Sequence, residues 1–217
     1  MKKYLVWDWN GTLFDDVPTC LAVMNDMLAR RGLPLIRGEE HYRELFTFPV
    51  SEYYQRAGLD FTREPFEALA GEYIEDYNRR AKSCRLYSGA ERVLDELSAL
   101  GVRQLIASAS EQTSLESQVG QFGIENRFEA LLGIGNSYGG GKAGLARAYF
   151  QERGADLKEA LFVGDTTHDF EVAKEMGCGC VLIAAGHQDR SRLEATGAPV
   201  LESVRELPGY WKKEAAR

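Results

Sequence analysis

The sequence predicts an α/β fold: a parallel sheet with helices between its strands, interrupted after the first strand by an all-helical insertion. Three observations carry this. Short apolar runs recur at residues 4–7, 102–107, 160–163 and 180–183, as expected of strands buried on both faces. Between them lie stretches with apolar residues three or four apart, closed by glycine, which is the rhythm of parallel βαβ units. From about Val17 to Lys82 that rhythm gives way to helical patterns alone.

The first strand, residues 4–7, ends at Asp8-Trp9-Asn10-Gly11-Thr12. Residues i and i+2 of extended backbone point the same way, so Asp8 and Asn10 share a face and Trp9 turns from it. The insertion that follows shows one stripe of Leu21, Met24, Met27 and Leu28 and another of Phe66, Leu69, Ala70, Tyr73, Ile74 and Tyr77. Gly32-Leu33-Pro34, Phe48-Pro49 and Gly58 punctuate shorter pieces between them. An insertion placed directly after a reactive loop suits a lid. Arg43, Phe48 and Tyr53 are candidate pocket residues within it, by proximity to the Phe48-Pro49 turn; packing the insertion's own core, or facing solvent, is the plainer role for them.

The alternating pattern resumes at Leu86. A helix over 90–100 carries Val93, Leu94, Leu97 and Leu100 on one face and stops at Gly101. Strand 102–107 leads into a loop, Ser108-Ala109-Ser110, where a hydroxyl and backbone N–H groups make a phosphate cradle. A helix over 144–153 is preceded by Lys142, a cation able to neutralise clustered carboxylates or a phosphate. Strand 160–163 leads into Gly164-Asp165-Thr166-Thr167-His168-Asp169, two carboxylates four residues apart that suit a hard cation such as Mg²⁺; Asp169 could also cap the next helix, 170–176, closed by Gly177. Strand 180–183 follows.

Two glycine-rich segments imitate nucleotide-binding motifs. Residues 135–142 end in Gly-Lys, but Asn136 and Ala143 stand where a Walker loop needs Gly and Ser or Thr. Gly133-Ile134-Gly135 begins a dinucleotide fingerprint that Tyr138 breaks. The run Gly139-Gly140-Gly141 is read as a loop, either mobile or letting the backbone approach a phosphate.

With Asp8, Ser108, Lys142, Asp165 and Asp169 in this order, each at a strand end or helix start, the chain resembles the haloacid dehalogenase-like hydrolase superfamily, near its phosphoglycolate phosphatase and β-phosphoglucomutase groups. The four motifs match residues 8–12, Ser108, Lys142 and 164–169. Leu86-Tyr87-Ser88-Gly89-Ala90 is similar to the segment with which the family's core resumes, Ser88 replacing a proline, and Gly186 falls where the family has glycine after its fifth core strand. The resemblance implies a Rossmann-like core of residues 1–15 and 84–217 with an inserted helical cap, residues 16–83. It implies a Mg²⁺-dependent phosphatase of a small phosphorylated metabolite. Asp8 would be the nucleophile, Ser108, Ala109 and Lys142 would bind phosphate, and Asp8, the backbone carbonyl of Asn10, Asp165 and Asp169 would hold the metal.

Asn10 departs from the family, whose phosphatases carry at this position an aspartate that protonates the leaving oxygen and then deprotonates water. An amide does neither, and such help is typically worth about 10² to 10⁴ in rate. Three readings stay open: a substrate with a good leaving group, a proton supplied by another residue with His168 nearest in sequence, or a phosphate-binding or interaction module with little turnover. β-Phosphoglucomutase-like transfer is a further alternative that needs the same missing acid–base group.

Composition excludes other classes. The 33 acidic against 26 basic side chains give a net charge of −7, unlike a nucleic-acid-binding surface. No apolar run approaches the roughly 18 residues of a membrane span, so the chain is expected to be cytoplasmic. Cys20, Cys84, Cys178 and Cys180 have no zinc or redox spacing and are expected to be small packing side chains. Oligomeric state is not legible.

Overall fold

The computed structural model describes residues 2–135 and 141–215. In chain order they form β1 (Tyr4–Trp7), β2 (Phe14–Asp15), α1 (Val17–Arg30), α2 (Gly38–Leu45), α3 (Val50–Arg56), α4 (Phe66–Ala81), β3 (Arg85–Leu86), α5 (Ala90–Ala99), β4 (Arg103–Glu111), α6 (Gln112–Gly120), β5 (Leu131–Ile134), α7 (Gly141–Glu152), β6 (Ala160–Gly164), α8 (Thr167–Met176), β7 (Gly179–Ile183), α9 (Arg190–Glu194), β8 (Val200–Leu201) and α10 (Leu207–Ala215).

A six-stranded sheet has the order β5-β4-β1-β6-β7-β8, and every pairing in it is parallel. All four residues of β1 are buried, because the sheet is covered on both sides. Leu5 and Trp7 join one core with Val93, Leu94 and Leu97 of α5, Leu115 of α6 and Trp211 of α10. Tyr4 and Val6, one residue out of phase, join another with Leu145 and Phe150 of α7 and Val172 of α8. The indoles of Trp7 and Trp9 are satisfied: Trp7 Nε1 donates to Gln104 Oε1 (3.0 Å) and Trp9 Nε1 to Gln118 Oε1 (2.8 Å), as buried Trp requires.

Four helices, α1 to α4, lie between β2 and β3, which pair antiparallel as a short neck. Their shared core contains Val17, Met24, Met27, Leu28, Tyr42 and Leu69. Ile74 departs from the predicted stripe: it is exposed, and Asp76 is buried instead. Asp76 can lie there because Arg30, Arg79 and Arg80 all pair with it.

Three boundaries differ from those the sequence predicts. β4 continues through Ser108, Ala109 and Ser110 instead of ending before a loop, because its pairing with β5 resumes at Glu111 after a register shift. β5 and β8 are strands that apolar runs did not single out. Both are sheet edges, and both are only partly buried. α7 and α8 each begin three residues earlier than predicted, which brings Lys142 and Asp169 inside first turns. Gly139 and Gly140 of the glycine run, and Asn136 and Tyr138 of the discarded motifs, lie outside the described residues. The four cysteines are free, Cys20 buried and the others half-buried. Among the described residues no helix is long and apolar enough to cross a membrane.

Candidate active site

β1 is where the strand order turns back on itself, since the chain moves first to β4 and β5 and later to β6 on the other side. The carboxyl ends of strands at such a point leave a crevice for ligands. Trp7 and Val163 are paired in register, and Asp8 N–H continues the ladder to the Val163 carbonyl (2.8 Å). Asp8 and the Gly164-Asp165 turn therefore leave the sheet side by side.

One flank of Asp8 is ionic. Carboxylate oxygens of Asp8, Asp165 and Asp169, all buried, lie within 4.8 Å of one another. Lys142 Nζ donates to Asp8 Oδ1 (2.6 Å) and Asp169 Oδ1 (2.9 Å). Asp169 is held in place by its other oxygen, which accepts from the backbone N–H groups of Asp165 (3.1 Å) and Thr166 (3.0 Å) and from the Thr166 hydroxyl (2.7 Å). Thr166 is the N-cap of α8 and Asp169 completes its capping box. Asp165 accepts from the Thr12 hydroxyl (2.9 Å) and the His187 N–H (2.7 Å).

These charges do not balance. Burial, then the neighbouring Asp169 charge, pushes the Asp8 carboxyl well above the carboxylate range, Lys142 only partly opposing them. Burial likewise lifts Asp165 to about 6. Asp169 is lowered despite its burial, because Lys142 and the Thr166 hydroxyl stabilise its charge. Burial works against the Lys142 ammonium, but Asp169 and Asp8 outweigh it and hold it charged. Three buried carboxylates against one ammonium, all ligands being oxygen, is a donor set that fits Mg²⁺.

The other flank is a closed polar network. Asn10 Nδ2 donates to Asp16 Oδ2 (2.8 Å) and to the Tyr77 hydroxyl (2.6 Å), and its Oδ1 accepts from the Ser110 hydroxyl (2.8 Å). Tyr77 in turn donates to Asp16 Oδ2 (2.6 Å). Asp16 Oδ1 accepts from Gly11 N–H (2.9 Å) and sits 3.3 Å from His187 Nε2. The other imidazole nitrogen, Nδ1, lies 2.8 Å from the Tyr42 hydroxyl. Burial pulls His187 down, but Asp16 beside it more than offsets this and lifts it to about 9. Burial opposes the Asp16 charge, and His187, Tyr77 and Asn10 together hold it below its ordinary value. Gly11 is required between the flanks: its φ is +71°, and a Cβ there would stand 2.4 Å from both Asp165 Oδ2 and His187 Cδ2.

Asp8, Asn10, Lys142, Asp165 and Asp169 thus come together. Ser108 is buried within β4, two residues past its last pairing with β1 (Trp7 with Ile106), its hydroxyl accepting from Ser110 N–H (3.1 Å), and Ala109 is exposed next to it. His168 is not part of the site: it lies against Phe48 (4.7 Å between rings) with Glu171 3.6 Å away. Arg43 pairs with Glu39 and donates to the Gly186 carbonyl (2.8 Å), joining the insertion to the loop after β7. Tyr53 lines a cavity beside Asn10. Asp16 and His187 were not singled out by sequence, and Tyr77 was read only as part of a helical stripe. The doubled acid Asp15-Asp16 just past the reactive loop, and His187 directly after Gly186, were the only local signals.

A model of the family described as haloacid dehalogenase-like hydrolase matches residues 5–183 of the chain. The chain is 26% identical over 227 residues to a phosphoglycolate phosphatase of Pseudomonas savastanoi pv. phaseolicola, covering 99% of this chain and 82% of that protein. It is 28% identical over 203 residues to the tyrosine-protein kinase PtkA of Mycobacterium tuberculosis, with 92% and 68% covered. Among solved structures, a haloacid dehalogenase-like hydrolase of Streptococcus pneumoniae superposes with a TM-score of 0.82 at 17% identity, over 97% of this chain and 98% of that one, and shares the fold.

Proposed function

The chain belongs to the haloacid dehalogenase-like hydrolases, and from that membership we propose that it is a Mg²⁺-dependent phosphatase of a small phosphorylated metabolite, acting through an aspartyl-phosphate on Asp8. The observation that carries this reading is the buried set of Asp8, Asp165 and Asp169 with Lys142 bridging two of them. The phosphoglycolate phosphatase relative supports a monoester substrate. Residues 16–83 act as the cap over a core of 1–15 and 84–217.

Asp8 Oδ bonds to phosphorus as the ester P–O bond breaks, its electron pair leaving on the ester oxygen, which takes a proton from solvent, so one difficult displacement becomes two. Lys142, the Ser108 hydroxyl and the Ala109 N–H hold phosphoryl oxygens, the electrostatic support that usually dominates such transfers. Asp8, Asp165, Asp169 and the Asn10 carbonyl would hold Mg²⁺, which when bound offsets the charge of carboxylates and phosphoryl group. Water then attacks phosphorus, releasing phosphate and restoring Asp8. The Asn10 side chain keeps its position through Asp16, Tyr77 and Ser110 but has no proton to give.

The test is phosphate release from a panel of phosphomonoesters with and without Mg²⁺. We expect release that needs Mg²⁺, is lost in Asp8→Asn, and passes through a phosphoryl adduct on the peptide containing Asp8, detected by mass spectrometry. Absence of release across the panel would overturn the reading in favour of a binding module.

A further inference from the structure

Asp8 and Asn10 face the same way, so an ester whose phosphorus sits at Asp8 must send its leaving group past Asn10. There the chain forms a cavity of about 270 Å³ between the insertion and the sheet edge. Its polar end is Asn10, Ser110, Asp16 and His187; its remaining wall is dominated by Phe46, Val50, Tyr53, Tyr54, Tyr73 and Tyr77. That volume exceeds the roughly 150 Å³ of an apolar cavity that accepts benzene.

Three features of this cavity converge. Its described lining contains no lysine or arginine, and His187 has both ring nitrogens engaged, by Asp16 and Tyr42. A carboxylate entering it would lose water and gain no free cation, with Asp16 already on the wall. The Tyr53 hydroxyl is sealed from solvent and makes no hydrogen bond among the described residues, so the wall that Tyr53 contributes is its ring, not a polar contact for a charged group. And Asn10 cannot protonate a departing oxygen. An alkoxide leaves badly without a proton, its conjugate acid having a pKa on the order of that of water, about 16. A phenolate, with a conjugate acid near pKa 10, needs that help far less.

The geometry points to aryl phosphates as the substrate class: monoesters of an uncharged phenol, with the ring in the aromatic cavity. This rests on the phosphatase reading above. The steps balance without an acid at position 10. Asp8 Oδ bonds to phosphorus and the P–O(aryl) pair leaves with the ring as phenolate, which takes its proton from solvent. Water then adds to phosphorus as the Asp8–phosphorus bond breaks, and both its protons leave on dihydrogen phosphate.

Recognition is separable from leaving-group chemistry with uncleavable phosphonates. Dissociation constants are measured by calorimetry with Mg²⁺ for benzylphosphonate, which mimics a phenyl ester, and 3-phosphonopropionate, which mimics a carboxymethyl ester. Benzylphosphonate is expected to bind at least tenfold more tightly. Val50→Lys, at the partly exposed rim where folding is not at stake, is expected to shrink or reverse that ratio. Hydrolysis of phenyl phosphate should exceed that of phosphoglycolate by at least tenfold in kcat/KM. Equal or reversed affinities in the wild type, or a ratio unmoved by Val50→Lys, would overturn the aryl assignment while leaving the phosphatase reading intact. Failure of both phosphonates to bind, with no phosphate released from any ester, would overturn both.

Discussion

On one side of Asp8, three carboxylates and an ammonium come from two strand ends and two helix starts, and their charges are left in surplus. On the other side an amide, a carboxylate, a phenol and an imidazole satisfy one another almost completely. Asp8, the proposed nucleophile, thus faces a flank left with surplus charge and a flank that has closed on itself. The surplus negative charge of the buried cluster favours a cation, because burial makes each uncompensated charge costly, and on the proposed reading that cation together with Lys142 offsets the phosphoryl group. A balanced one presents its apolar edge, and the leaving-group side is accordingly a place for a ring, not for a charge.

The largest effects are expected on the unbalanced flank. Asp8→Asn should lower phosphate release by a factor on the order of 10⁴ or more, as removal of a nucleophile does elsewhere, measured in a Mg²⁺-saturated assay. Lys142→Met should cost about 10² to 10³ in rate, the usual loss of one electrostatic stabiliser. It also leaves Asp8 and Asp169 facing each other without their shared ammonium, and unfolding free energy should fall by about 3–5 kcal/mol in a denaturant titration. If Lys142→Met slowed turnover with no loss of stability, the claim that this flank is held together by opposed buried charges would fail.

The closed flank should show itself in pH. The folded value of His187, about 9, exceeds its unfolded value near 6.5. Its stabilisation is therefore complete below about pH 6.5 and is lost as pH rises through 9. Asp165, lifted to about 6, makes stability fall with rising pH in a lower window, between about 4 and 6, so the two contributions separate. Denaturant unfolding of the wild type should weaken by at most about 3 kcal/mol across pH 6.5–9, and His187→Gln should flatten that slope alone. A slope unchanged by His187→Gln would place the titrating group elsewhere.

The ionic flank was legible in the sequence because each of its members sits in a local pattern: an acid after a buried run, a lysine before a helix, two acids across a strand-to-helix turn. The closed flank was not. Asp16, Tyr77 and His187 come from the start of the insertion, its last helix and the loop after β7, and no spacing links them. His168 stood nearest in sequence, but α8 starts at Thr167 and turns its ring toward Glu171 and Phe48. The sheet shows the same division. The fully buried central strands were readable as apolar runs, whereas β8 has only two residues and the apolar run of β5 is broken by Gly133. In the insertion, Ile74 matched a helical stripe that the arginines around Asp76 override.

The smallest expected effect is the most informative, because it exchanges the two flanking chemistries without changing shape. Asn10→Asp alone puts a carboxylate at this position, but sets it 2.8 Å from Asp16, where two carboxylates cannot both ionise. It should destabilise by about 1–2 kcal/mol and leave activity on alkyl phosphates nearly unchanged, since a proton shared with Asp16 is poorly placed for a substrate. Adding Asp16→Asn reverses donor and acceptor across the same contact. The new amide donates to the new carboxylate, Tyr77 turns its hydroxyl to that carboxylate, and the amide oxygen still accepts from Gly11 and His187. The double variant should recover the hydrogen-bond part of that loss, though not the Asp16–His187 ion pair, and hydrolyse alkyl phosphates about tenfold faster than the wild type, part of the range that general acid–base help supplies, with little gain on phenyl phosphate. Equal gains on both ester classes would mean that the proton at this position matters whatever leaves. No gain on either would mean that Asn10 is neutral and the aromatic cavity alone distinguishes this flank.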